Sequence, residues 1–285
     1  MNKKITIADL AEAKQQNKKI TAVSCYDYTT ASLAAQAGIE MMIVGDSAAQ
    51  LMLGYDSTLP ATMDFMVTIT AAVHRAAPKA FTVADMPFLS YNLGIYDAIK
   101  NAGRFIAEAG ADMVKVEANN SSLDIITAIS NAGIAVMAHI GIKPQSISKI
   151  GRFKAEATTA EMALELIASA KKMVDAGASA LLVEGTAAEV AEIITQLSNV
   201  PVISCGSGPY CDGQVLVAPD ILGLTQGNLP KFSFKYSNLA EKTIDAFTNY
   251  AKDVMENKFP DNDHCYHMKT GQLDLLKKMM TEVRS

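Results

Sequence analysis

The sequence predicts an α/β fold, a (β/α)8 TIM barrel forming a single domain with a C-terminal helical extension. Three observations carry this expectation. Eight short apolar runs of strand length are spread along the chain, and helix-like segments separate most of them. No Gly-rich G-x-G-x-x-G follows the first run, which favours a barrel over a doubly wound sheet. The 285 residues match the usual size of one such barrel.

In chain order, the first run is Ile20 to Ser24. A repeated frame then sets the second, fourth and sixth: Ala37-Gly38 leading to Val44-Gly45-Asp46, Ala109-Gly110 leading to Val116-Glu117, and Ala176-Gly177 leading to Val183-Glu184. In each, a helix ends at Gly, an apolar run follows, and an acid closes it. The fifth, from Ala132-Gly133 through Val136-Met137-Ala138, ends in His139 instead. Ala80 to Ala84, Val200 to Ser204 and Ile221 to Thr225 supply the third, seventh and eighth. Between Thr159 and Ala176 the side chains of Met162, Leu166, Ala170 and Met173 trace one apolar stripe. Thr158 with Glu161 is placed to form a capping box there. Gly206-Ser207-Gly208-Pro209 reads as a plain turn in preference to an anion-binding loop. The barrel is expected over residues 1–267. Residues 268–285 are expected to add an amphipathic helix, with Leu276, Met279, Met280 and Val283 on one side and Lys277, Lys278, Glu282 and Arg284 interspersed. That helix should dock on its own barrel or on a neighbouring subunit.

Composition sets the outer limits. With 49% apolar and 19% charged residues and a mean hydropathy of +0.14, the chain has ample material for a core. A net charge of −5 offers no positive field to nucleic acid. The longest charge-free stretch, between Asp124 and Lys143, is broken by Ser130, Asn131, Gly133 and His139, so no membrane span is expected. No apolar leader follows Met1-Asn2-Lys3-Lys4, and Cys25, Cys205, Cys211 and Cys265 lack metal or redox spacing, which together suggest a cytoplasmic protein with reduced thiols.

Active sites of barrels lie at the C-terminal ends of the strands, which singles out Asp46, Asp85, Lys115, Glu117, His139 and Glu184. Four carboxylates at one mouth repel one another unless a cation neutralises them. Oxygen donors without a Cys/His cluster point to Mg²⁺ or Mn²⁺ and away from zinc. Lys115 and Glu117 are two residues apart on one strand, so both face inward, and Lys115 needs an acid or an anionic substrate as partner. His139 is a candidate substrate contact. His74, His264 and His267 are read as structural.

Val44-Gly45-Asp46-Ser47, Gly54-Tyr55-Asp56-Ser57-Thr58-Leu59-Pro60, Ala84-Asp85-Met86-Pro87-Phe88, Met113-Val114-Lys115-Val116-Glu117, His139-Ile140-Gly141 with Pro144-Gln145-Ser146, and Asp212-Gly213-Gln214 together resemble the ketopantoate hydroxymethyltransferase family of the phosphoenolpyruvate/pyruvate superfamily. The resemblance runs from about Ile5 to His267. It implies transfer of a hydroxymethyl group from 5,10-methylenetetrahydrofolate to 3-methyl-2-oxobutanoate, giving 2-dehydropantoate for pantothenate synthesis. It implies that Asp46 and Asp85 hold Mg²⁺ with Glu117 supporting the metal's water shell. It also implies that Ser47 and Lys115 bind the 2-oxoacid beside Asp46, Asp85 and His139, that Glu184 is the general base, and that the enzyme is a large symmetric homo-oligomer such as a decamer.

Three segments depart from the family pattern. Gly151-Arg152-Phe153-Lys154-Ala155-Glu156-Ala157 stands where a glycine-richer run is common, Gly185-Thr186-Ala187 follows Glu184 in place of Cys-Val-Pro, and Ser204-Cys205-Gly206-Ser207-Gly208 replaces Gly-Ile-Gly-Ala-Gly. These bear on substrate choice and rate. A superfamily C–C lyase on a related 2-oxoacid, a Schiff-base aldolase using Lys115, and a non-catalytic 2-oxoacid-binding paralogue are the alternatives.

Overall fold

The structure is a computed structural model that describes residues 3–227 and 229–283; Met1, Asn2, Asn228, Arg284 and Ser285 lie outside the described residues. The chain forms two compact units, Met1–Ser237 and Asn238–Ser285. The first is the barrel. Its strands are β1 (Ile20–Ser24), β2 (Met41–Val44), β3 (Phe81–Asp85), β4 (Met113–Glu117), β5 (Val136–Gly141), β6 (Ala180–Glu184), β7 (Val202–Cys205) and β8 (Gly213–Val217). All neighbours are parallel, and β8 pairs with β1 to close the barrel. Among the described residues no helix is long and apolar enough to cross a membrane.

Two local expectations are corrected. The eighth strand is Gly213–Val217, not Ile221 to Thr225. Pro219 starts a short helix over Ala218–Leu222, and Gly223 ends it in the left-handed region (φ 69°), so this apolar run has no extended backbone to pair. Helix Ala160–Asp175 is capped by Thr159, whose side chain accepts the N–H of Met162; the cap lies one residue after the expected Thr158.

Side chains alternate across each strand, and that alternation builds the site. On β3, Phe81 and Val83 belong to the barrel's interior cluster. On β4 it is Met113, on β5 Met137, on β6 Ala180 and Leu182, and on β7 Ile203. Two residues further along the same faces stand Asp85, Lys115 with Glu117, His139, Glu184 and Cys205. The intervening Ala84, Val114, Val116, Ala138, Leu181 and Val183 pack outward against the helices in a second cluster. A one-residue slip on any of these strands would exchange the polar groups of the strand ends for apolar ones.

The opposite end is closed by helix Ile7–Gln15, which places Leu10 in the interior cluster. A second set of acids, each just before a strand, fastens that end. Glu40 accepts the N–H of Thr21 and Lys18 Nζ (3.2 and 2.8 Å). Asp112 accepts the N–H of Thr82 and Lys4 Nζ (2.8 and 2.6 Å). Asp212 accepts the N–H of Val202 and Lys14 Nζ (2.8 and 2.7 Å). Asp212→Ala is therefore expected to lower unfolding free energy by about 1.5–3 kcal/mol in a urea titration, the range for hydrogen bonds to charged groups. Turnover per folded molecule should be unchanged, and an unaltered urea midpoint would show that this clasp carries no stability.

The second unit contains helix Leu239–Met255, a 3-10 turn over Asn262–His264 and helix Gln272–Val283.

Candidate active site

The strand ends bring the predicted ionisable side chains together. Asp85 and Lys115 are register partners on β3 and β4, and Lys115 Nζ lies 3.0 Å from Asp85 Oδ2. The pairing demanded of an inward-facing lysine is met by this acid. On its other side Lys115 Nζ lies 3.2 Å from His139 Nδ1. An ammonium group only donates, so Nδ1 is the accepting nitrogen and the ring proton of a neutral imidazole sits on Nε2. Nε2 is 3.2 Å from Glu184 Oε2, off the line of a good hydrogen bond. Asp85, Lys115, His139 and Glu184 thus form one chain across four adjacent strands.

Charge and burial differ along that chain. Burial works against the Lys115 charge, yet Asp85, then Asp46 and Glu117, outweigh it and hold the ammonium above its ordinary value. Burial first, and Lys115 second, hold His139 below the usual imidazole range, which agrees with a neutral ring. Asp46, Asp85, Lys115 and Glu117 are each at most 7% exposed. The side chain of Glu184 is 20% exposed, so it is the carboxylate of the four that can both touch a ligand and exchange a proton with solvent.

Asp46 follows β2, and its backbone N–H donates to Asp85 Oδ2 (3.1 Å). Burial, with the neighbouring Asp85 charge adding to it, pushes the Asp46 carboxyl up to about 7; Lys115 and a hydrogen bond from Gln145 act in the opposite sense. Glu117 is pushed up to about 8, chiefly by burial, against the pull of Lys115 and the Gln145 N–H. Asp85 Oδ1 and Glu117 Oε2 are buried with no hydrogen-bond partner. Orphaned carboxylate oxygens beside further acids fit a hard cation with its waters. Among the described residues no three His, Cys, Asp or Glu side chains converge closely enough to hold a metal alone. That donor set suits Mg²⁺, which takes one or two carboxylates and completes its octahedron with water and substrate oxygens.

Ser47 stands beside Asp46, its hydroxyl 2.8 Å from Tyr26 OH. A Cβ on Gly45 would lie 2.8 Å from Ser47 Oγ and 3.0 Å from Ser24 Oγ, so glycine lets these hydroxyls close around the end of β2. Gly141, at φ 88°, passes so close to the Glu184 carbonyl oxygen that any Cβ there would collide with it. A cleft of about 360 Å³ opens beside Glu117, lined by Phe88, Tyr91, Asn119, Lys143 and Gln145 among others.

The sequence alone gives no role to Tyr26, Tyr91 or Cys205, and it shows Gln145 only inside the Pro144-Gln145-Ser146 run. Tyr26 has no spacing signal, whereas the alternation of β7, extended past Ile203, does point to Cys205. In the Gly206-Ser207-Gly208 turn the N–H of Ser207 is taken by Ser204 Oγ (3.0 Å), and Ser207 Oγ donates to Val183 O (2.9 Å). His74 lies apart from these groups, its ring against Gly110. His264 pairs with Asp261 in the second unit.

The family model described as ketopantoate hydroxymethyltransferase matches residues 4–262. The 3-methyl-2-oxobutanoate hydroxymethyltransferase of Hyperthermus butylicus is 46% identical over 98% of this chain and 96% of its own. That of Moorella thermoacetica is 45% identical over 92% of this chain and 98% of its own. Among solved structures, a phosphonopyruvate hydrolase in complex with oxalate and Mg²⁺ superposes with a TM-score of 0.59 at 13% identity, covering 98% of both chains. A 2,3-dimethylmalate lyase of the PEP mutase/isocitrate lyase superfamily gives 0.58 at 16% identity, covering 98% of this chain and 99% of its own. These structures share the barrel.

Proposed function

Since this chain belongs to the ketopantoate hydroxymethyltransferase family, we propose that it moves a one-carbon unit from 5,10-methylenetetrahydrofolate to the third carbon of 3-methyl-2-oxobutanoate, with water supplying the hydroxyl oxygen, giving 2-dehydropantoate and releasing tetrahydrofolate. The observation that carries the reading is the mouth itself: four carboxylates, one buried ammonium, and two carboxylate oxygens without partners. Asp46 and Asp85 would hold Mg²⁺, with Glu117 on its water shell. When bound, the metal supplies positive charge that stabilises the oxoacid after it loses its weakly acidic third-carbon proton.

The protein's own groups do the rest. Lys115, kept protonated by Asp85, offers a fixed positive charge to the oxoacid carboxylate, and Ser47 offers a hydroxyl beside it. His139 keeps its Nε2 proton 3.2 Å from Glu184 Oε2, and Glu184 takes the third-carbon proton. A lysine held protonated by an ion pair is the opposite of the lowered, neutral amine that Schiff-base chemistry needs, which weighs against an aldolase using Lys115. The cleft beside Glu117 offers the folate an approach to the same mouth.

The same reading includes a cytoplasmic homo-oligomer. The half-exposed Leu276, Met279 and Met280 of helix Gln272–Val283 support it, because an apolar stripe of that kind is what subunit interfaces bury.

An assay of the purified protein with 3-methyl-2-oxobutanoate, 5,10-methylenetetrahydrofolate and Mg²⁺ tests the proposal. Product should form, and a chelator should stop it. Folded protein that consumes neither substrate would overturn it.

A further inference from the structure

Gln145, which has no role in the chemistry above, makes four hydrogen bonds in the middle of the site while only 6% exposed. Its side-chain Nε2 donates to Asp46 Oδ2 (2.8 Å) and to the carbonyl of Met86 (3.0 Å). Its Oε1 accepts from the hydroxyl of Tyr91 (2.7 Å), and its backbone N–H donates to Glu117 Oε1 (2.9 Å). Tyr91 OH in turn accepts the backbone N–H of Glu117 (3.2 Å). These partners leave the amide a single sensible orientation. Turned over, it would aim its oxygen at a carboxylate and a carbonyl, and both contacts would be repulsive.

The arrangement gathers the ends of four successive strands onto one side chain and its backbone N–H. Asp46 follows β2, Met86 follows β3, Glu117 ends β4, and Gln145 sits in the segment after β5. One residue therefore fixes two separate carboxylates relative to each other. It occupies one oxygen of each and leaves Asp46 Oδ1 and the orphaned Glu117 Oε2 for another partner. Outer hydrogen bonds of this kind orient carboxylates towards a cation and are worth ~10–100-fold in metal affinity.

The geometry points to Gln145, braced by Tyr91, as a positioning residue that presets Asp46 and Glu117 for the divalent cation. This rests on the metal assignment made above. Replacing Gln145 by Met keeps the length and the backbone N–H to Glu117 but removes the donors to Asp46 and Met86. Tyr91→Phe removes the hydroxyl that holds the amide and that accepts the Glu117 backbone N–H, and leaves both donors of Gln145 in place.

Mn²⁺ titration of the metal-stripped full chain, followed by electron paramagnetic resonance without substrate, provides a readout independent of turnover. The parent should bind Mn²⁺, Gln145→Met should bind it ~10–100-fold more weakly, and Tyr91→Phe should shift in the same direction by less. At a temperature where the metal-free variant is fully folded, raising Mg²⁺ should restore much of the kcat of Gln145→Met, a rescue that stabilisation of the fold by metal does not explain. A folded Gln145→Met that binds Mn²⁺ as tightly as the parent overturns the inference. If that variant fails to fold, parental Mn²⁺ affinity in Tyr91→Phe overturns it instead. A parent that binds no Mn²⁺ defeats the metal assignment itself, a result separate from parental affinity in the variants.

Discussion

Glu184→Gln is expected to bind Mg²⁺ and 3-methyl-2-oxobutanoate much as the parent does while its kcat falls at least ~10²-fold. The amide keeps the size of the carboxylate, so the groups around Asp85 and Lys115 stay in place. What disappears is the ability to accept a proton at the one mouth carboxylate with substantial exposure, 20% of its side chain. His139 cannot substitute, because its accepting nitrogen is turned towards Lys115 and its Nε2 carries the proton. Calorimetry of both ligands together with steady-state kinetics separates binding from chemistry. A kcat close to the parent's would move the base to another residue.

The second large effect is expected at Asp85. Asp85→Asn removes a proposed metal ligand and takes from Lys115 the partner 3.0 Å away. The neutral amide cannot hold a hard cation as a carboxylate does, so Mg²⁺ affinity and turnover should fall together by at least ~10²-fold. A ligand that binds only the folded state raises the melting temperature by mass action, so added Mg²⁺ should stabilise the parent and leave Asp85→Asn unmoved. Parallel thermal melts with and without Mg²⁺ check this, with calorimetry for affinity. An equal Mg²⁺-induced shift in both proteins would place the metal elsewhere.

The barrel is legible in the sequence because its strands repeat. A Gly that ends a helix, an apolar run and a terminal ionisable residue recur at β2, β4, β5 and β6, and that frame by itself locates Asp46, Glu117, His139 and Glu184. The eighth strand is misplaced when apolar content is weighed above backbone punctuation. Gly213–Val217 is a less conspicuous apolar run than the one after it, yet Pro219 and Gly223 commit the later run to a helix. The acids that fasten the other end of the barrel, Glu40, Asp112 and Asp212, lie outside the apolar runs, and their meaning depends on lysines far away in the N-terminal segment. Tyr91 and Gln145 are illegible for a related reason. Each is a single residue on a connection after a strand, and only closure of the barrel brings them to Asp46 and Glu117.

The proposed mouth removes the third-carbon proton of a 2-oxoacid with Glu184 as base and a divalent cation in support. That step is tested most directly by NMR of 3-methyl-2-oxobutanoate in deuterium oxide with the parent protein and tetrahydrofolate, in one tube with Mg²⁺ and in another with chelator. Deuterium should enter the third carbon in the Mg²⁺ tube and should not enter it in the chelated tube. Undiminished exchange under chelation, or none in either tube despite bound oxoacid, would contradict this mechanism.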